Sequence, residues 1–356
     1  MKRYKFSLPH QVYYLAAATL ANSLGTFLLP FLPLYLKSLG NTEDVIGLTI
    51  ACYGIGCLLS SLSAGWISDR IGRKPIIYVN LLISSALTGC IGFVANTVTL
   101  IIIVFAIGCC AGMSRPASTA LVGDIVSEEM TAAAYGLLYW AGNAGFIIAS
   151  LLGGFIATKS FLLLFLLDSA TCMTALILLF YGLSSLHELP SVEKTSTKHS
   201  ETSRRVTPLL FVILIAFFSW MVQTQAWTAL PLTVNRYGYS AFDWGILSAI
   251  NGAVVIICQP WVNVLVKNWG TTLSLGIGCL ILGIGFSLTM ALATLMAFIL
   301  QTIFWSIGEI LVATAGPAAV SQLTTSANRG RWMGYLAAAF SLASCTSSGG
   351  CERGGW

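Results

Sequence analysis

Seven stretches of this chain run for more than twenty residues without a charged side chain: 12–36, 45–66, 75–95, 135–157, 208–231, 244–266 and 272–292. Three more carry one charge each: 98–118 with Arg115, 161–183 with Asp168, and 294–316 with Glu309. An eleventh begins near Met333 and fails after Ala343. About 20 apolar residues in a helix cross the hydrocarbon layer, and lipid leaves the backbone of such a run no option but to be helical. Charged residues are 9% of the 356, against about a quarter in a soluble domain. A water-surrounded fold would lack polar surface, so the sequence predicts an all-α integral membrane protein, lodged in the lipid bilayer.

Several function classes fall away with that reading. The ten cysteines form no CxxC pair and no Cys/His cluster, so neither a disulfide framework nor a metal site is expected. His10, His187 and His199 all lie outside the apolar runs. No span holds a His/Glu or Ser/His constellation, and no GxxxxGK[ST] loop is present to use ATP. An enzyme is not expected, nor is a cofactor. The first run is too long for a signal peptide and is read as the first span.

Lys and Arg placement orients the spans. With the N-terminus inside, thirteen basic residues fall in inner segments and three, Lys37, Lys159 and Arg236, in outer ones. The net charge of +5 thus reflects topology rather than nucleic-acid binding. Residues 184–207 are the one long polar stretch and read as a solvated linker. The expected organisation is a six-helix bundle over 1–183, the cytoplasmic linker, an incomplete second bundle over 208–344 and a polar tail over 345–356.

The halves also echo one another. Gly47, Gly54 and Gly72 match Gly245, Gly252 and Gly270 at a constant offset of 198. FAIG at 105–108 parallels WSIG at 305–308, and Pro116-Ala117 parallels Pro317-Ala318. Duplicated bundles of this kind suggest rocking around a central site.

Between the second and third runs stands GWISDRIGRKP, residues 65–75. It resembles the major facilitator superfamily, whose loop G-x-x-x-D-R-x-G-R-[KR] it matches at Gly65, Asp69, Arg70, Gly72, Arg73 and Lys74. The resemblance implies two pseudo-symmetric six-helix bundles, the second incomplete here, and a gating cluster at the inner rim. Gly65 lets span two approach a neighbour closely, and Asp69 can meet the positive end of a helix. Arg73 is expected to pair with Asp124, past span four. In the second half Lys267 and Thr271 stand where Asp69 and Arg73 do, so one latch is expected, not two.

GDIVSEEMTAAAYGLLYWAGNAGFIIASLLGG (123–154), IGEILVATAGP (307–317) and GRWMG (330–334) look like the twelve-helix drug:proton antiporter branch. Ala149-Ser150 stand where that branch often has Gly-Pro, and Val104 where many members carry an arginine. The resemblance implies secondary active transport, as proton-coupled efflux of small lipophilic, drug-like compounds from a cell by alternating access.

Ionisable groups inside the membrane are functional candidates by default. Glu309 and Asp168 are the candidates for proton coupling. Gln301, Trp305 and Glu309 are spaced by four and share a helix face. Asn22, Trp140, Asn143, Gln223, Trp227 and Asn251 complete the candidate cavity lining, a largely apolar set with few polar anchors. The expected partners are a small-molecule substrate and protons, with the protein a monomer in the cell inner membrane. A metabolite transporter of the same fold is the alternative. The Gly-rich ending CTSSGGCERGGW reads as a truncated or shifted frame, and hence as a possible non-functional membrane fragment.

Overall fold

The computed structural model describes residues 8–126, 128–184, 206–288, 294–324 and 326–346. Within them, the side chains of 65–66, 68–69, 115–116, 119–120, 123–124, 128–129, 131–133, 326–331 and 344–346 lie outside the description. The described chain is a succession of helices: α1 (His10–Leu24), α2 (Leu28–Ser38), α3 (Glu43–Ile71), α4 (Arg73–Ile91), α5 (Thr97–Ile125), α6 (Glu128–Ala157) and α7 (Phe161–Gly182), then α8 (Val206–Thr224), α9 (Ala229–Arg236), α10 (Ala241–Trp269), α11 (Thr271–Ser287), α12 (Leu295–Leu323) and α13 (Ser326–Thr346). Among the described residues, nine spans are long and apolar enough to cross a membrane, and two shorter apolar helices accompany them.

The repeat is exact in places. Helix α10 begins and ends 198 residues after α3, and α12 does the same relative to α5. The two tightest junctions repeat as well: Gly72 (φ 94°) and Gly270 (φ 84°) sit alone between consecutive helices, in backbone that only glycine adopts readily. The FAIG/WSIG and Pro-Ala matches, at larger offsets, therefore do not occupy equivalent places. The structure pairs Gly108 against Tyr53 in the first half and Ser306 against Asn251 in the second, again 198 apart.

Hydropathy predicts runs 12–36 and 208–231 as single spans; both are broken. The first divides at 25–27 and the second at 225–228, each shortly before a proline at the third position of the next helix, Pro30 and Pro231. There proline's missing N–H costs nothing, whereas a continuous helix would force its ring against a carbonyl four residues back. The first break is closed by Asp168 of α7. Its Oδ2 accepts hydrogen bonds from the backbone N–H of Phe27 (3.3 Å) and Leu28 (3.2 Å), at the positive end of α2. A Cβ at Gly25 would overlap Thr171 on the same helix, so only glycine lets the break lie this close.

The cores locate the two halves relative to one another. At the end bearing 38–43, 158–160 and 237–240, the far end, one apolar core joins both halves: Phe31, Ile46, Leu100 and Phe165 with Leu232, Trp244 and Phe298. Toward the linker end the cores separate. One holds Leu15, Ile77 and Leu121 of the first half; the other holds Val212, Val262 and Leu311 of the second. Helix α6 lies against α10 and α3 against α13, related pairs that carry the junction. At the far end Gly154 and Gly245 let α6 and α10 touch backbone to backbone, the Trp244 indole donates to the Pro30 carbonyl at 2.8 Å, and Arg236 pairs with Glu43 at 2.6 Å. Among the described residues, the halves share a core at the far end and keep separate cores toward the linker end.

Candidate transport site

Where the cores part, three second-half helices converge on one carboxylate. Glu309 on α12 accepts a hydrogen bond from Asn251 Nδ2 of α10 at 2.8 Å and another from Gln223 Nε2 of α8. Asn251 also donates to Ser306 Oγ (2.9 Å), one turn before Glu309, and Ser306 donates to the Thr302 carbonyl (2.6 Å). Gln223 lies in the last turn of α8, just ahead of the broken segment. Both carboxylate oxygens are thus met by neutral amides, and among the described residues no lysine or arginine bonds to it. An anion is expensive in this setting. Such a group is suited to exchange a proton or to meet a cationic ligand.

Trp227, in the break before α9, stands edge-on to Phe146 of α6 across the halves, with ring centroids 5.8 Å apart. Trp305 is buried against Phe286, and its ring lies one turn from Glu309. The structure thus brings together five candidates: Gln223, Trp227, Asn251, Trp305 and Glu309. Gln301 is fully buried two turns further toward the far end.

Others stand elsewhere. Asp168 does not join this group; it serves the first-half break, with Cys172 Sγ 3.7 Å from its Oδ1. Asn22 belongs to that same cluster, accepting from Cys172 Sγ at 3.3 Å. Trp140 is 56% exposed, two turns before Ile147, which packs on Gly252 of α10. Asn143 bonds to the Tyr139 carbonyl of its own helix. For Asn22, hydropathy indicated only that a polar group lay in a span, not which way it pointed.

Sequence reasoning missed the polar chain from Tyr139 to Thr314. The Tyr139 hydroxyl donates to Gln259 Oε1 across the halves (3.2 Å), and Gln259 Nε2 donates to Thr314 Oγ1 (3.0 Å). Ser306 had a signal, lying three residues before Glu309 on one face.

Of the gating motif, the side chains of Gly65, Asp69 and Asp124 lie outside the described residues, so the pairing of Arg73 with Asp124 stays an expectation. Gly72 forms the turn into α4. Lys74 Nζ donates to the Leu183 carbonyl at 3.0 Å, a cation at the negative end of α7. Arg70 is exposed at the end of α3.

A two-fold repeat of membrane helices, closed at one end around a polar group in mid-span, defines a secondary transporter. The chain belongs to the Major Facilitator Superfamily, which it matches over residues 15–348. It is 24% identical over 316 residues to the uncharacterised transporter YttB of Bacillus subtilis, covering 87% of this chain and 79% of that one. To Multidrug resistance protein 2 of the same organism it is 27% identical over 240 residues (65% and 60% covered), and to the quinolone resistance protein NorA of Staphylococcus aureus 31% over 150 residues (42% and 39%). Among solved structures it resembles a POT family transporter in complex with 5-aminolevulinic acid, with TM-score 0.83, 15% identity, and 97% and 91% of the two chains covered. A bacterial homologue of the lysosomal transporter Spinster, inward-facing and unoccupied, gives TM-score 0.77 at 17% identity, covering 95% and 80%.

Proposed function

We propose that this transporter exports small lipophilic, drug-like compounds in exchange for protons, with Glu309 as the group that alternates between proton and substrate. The observation that carries the reading is Glu309 itself, held in mid-span by Asn251 and Gln223 where the halves part. Beyond the two amides that meet the carboxylate, Trp227, Trp305 and Phe146 add aromatic surface nearby, which favours lipophilic cargo over sugars. Resemblance to two drug-resistance proteins supports the same substrate class. Lys and Arg placement favours a cytoplasmic linker end in the cell inner membrane, which with the shared far-end core supports an inward-facing reading of this conformation. Asp69, Arg73 and Asp124 then form the latch that closes the cytoplasmic end in the opposite state.

The experiment is efflux of a lipophilic dye from liposomes holding the purified chain, driven by an imposed pH gradient. Glu309→Gln, which cannot release a proton, loses gradient-driven efflux while retaining dye exchange. Efflux unchanged by that substitution would remove Glu309 from the coupling. Solved relatives of this fold include a nucleoside transporter, and a counterflow panel of metabolites separates that alternative.

A further inference from the structure

One turn beyond Glu309, toward the far end, lies a narrow chamber in the packing, lined by Trp227, Trp244, Ser248, Asn251, Thr302 and Trp305 among others and nowhere wide enough for a water. Two of the lining residues carry a buried polar atom with no hydrogen-bond partner: Trp305 Nε1, on a residue 2% exposed, and Ser248 Oγ, on a residue 3% exposed. Buried donors without acceptors are costly and rare. As packed, their neighbours do not relieve them: Asn251 Nδ2 donates to Ser306 and Glu309 and the Thr302 hydroxyl donates to its own helix at Phe298, while neither residue's oxygen accepts from Trp305 or Ser248. Serines and threonines in this bundle commonly donate back to a carbonyl three or four residues earlier, as Thr49, Ser219 and Ser306 do; Ser248 does not.

We propose that this chamber is a second subsite of the transport path, taking a neutral hydrogen-bond acceptor, a carbonyl or ether oxygen, carried on a flat apolar frame. Trp305 Nε1–H and the Ser248 hydroxyl are its donors, and the indoles of Trp227, Trp244 and Trp305 supply the flat walls. Trp244 is also the lid. Its own N–H is held by the Pro30 carbonyl of the other half, so separation of the halves at the far end draws this wall away and widens the chamber. The inference rests on the alternating-access reading above and adds to it what the cargo must carry besides any charge.

The test uses acridone, which bears a ring carbonyl, and 9,10-dihydroacridine, which has a methylene in its place. Binding is measured to the full chain in nanodiscs and corrected with empty nanodiscs. A site built to donate to an oxygen penalises the analogue lacking it, so the native chain should favour acridone on the order of tenfold. Ser248→Ala and Trp305→Phe should each bring that ratio toward one, whereas a merely structural defect weakens both compounds alike. No preference in the native chain, or a ratio that neither substitution moves, overturns the subsite and leaves pH-driven efflux through Glu309 standing. Absence of gradient-driven flux of any dye from the native chain instead removes the transport reading, and the subsite with it.

Discussion

Among the described residues two acids, Asp168 and Glu309, lie well inside membrane-spanning helices, and their surroundings differ. Asp168 meets two backbone N–H groups at the start of α2; Glu309 meets two side-chain amides that can turn away. Asp168→Asn, which keeps an acceptor oxygen, should therefore retain gradient-driven efflux. Asp168→Ala leaves both N–H groups unmet and should cost about 2–4 kcal/mol, read as a lowered melting temperature in detergent. A loss of coupling without a loss of stability in Asp168→Asn would contradict that division. The sequence identified both acids as exceptional because each is alone in its span. It could not see that Asp168 meets the backbone at the start of α2, because Phe27 and Leu28 lie 141 and 140 residues away.

The spans themselves were legible at the scale of elements: each long uncharged run is helical over most of its described length, and the repeat register survives intact in α3/α10 and α5/α12. The two breaks were not, since a hydropathy window averages over Pro30 and Pro231 and sees only apolar residues. The breaks matter because α2 and α9 meet one another at the far end and contribute residues to the core that closes it. Glu43 at the start of α3 and Arg236 at the end of α9 tie the same rim together. Both are substantially exposed, so the pair contributes less than about 1 kcal/mol. Glu43→Gln should shift the bundle only modestly toward opening there, and added salt should have the same effect on the native chain. Sided labelling of a cysteine placed near Tyr237 measures the shift, and a large response would mean the pair outweighs the core beneath it.

The molecule as a whole is two similar halves sharing one core at the far end and keeping separate cores at the other. Gly154→Leu wedges α6 from α10 where their backbones touch. It should leave a folded chain that cannot close the far end, with efflux abolished and far-end cysteines permanently reactive. Bridging Glu43→Cys to Arg236→Cys with a reducible bis-thiol crosslinker, in a chain cleared of native cysteines, should do the reverse, arresting turnover until a reductant is added. An apolar seam of this extent also sets a limit on improvement by mutation. A carrier that must visit both shapes in each cycle works fastest when they are nearly isoenergetic. Filling gaps among Phe31, Trp244 and Phe298 would thus yield a hardier protein and a slower pump, and a gain in heat resistance at that seam would be a warning of lost throughput.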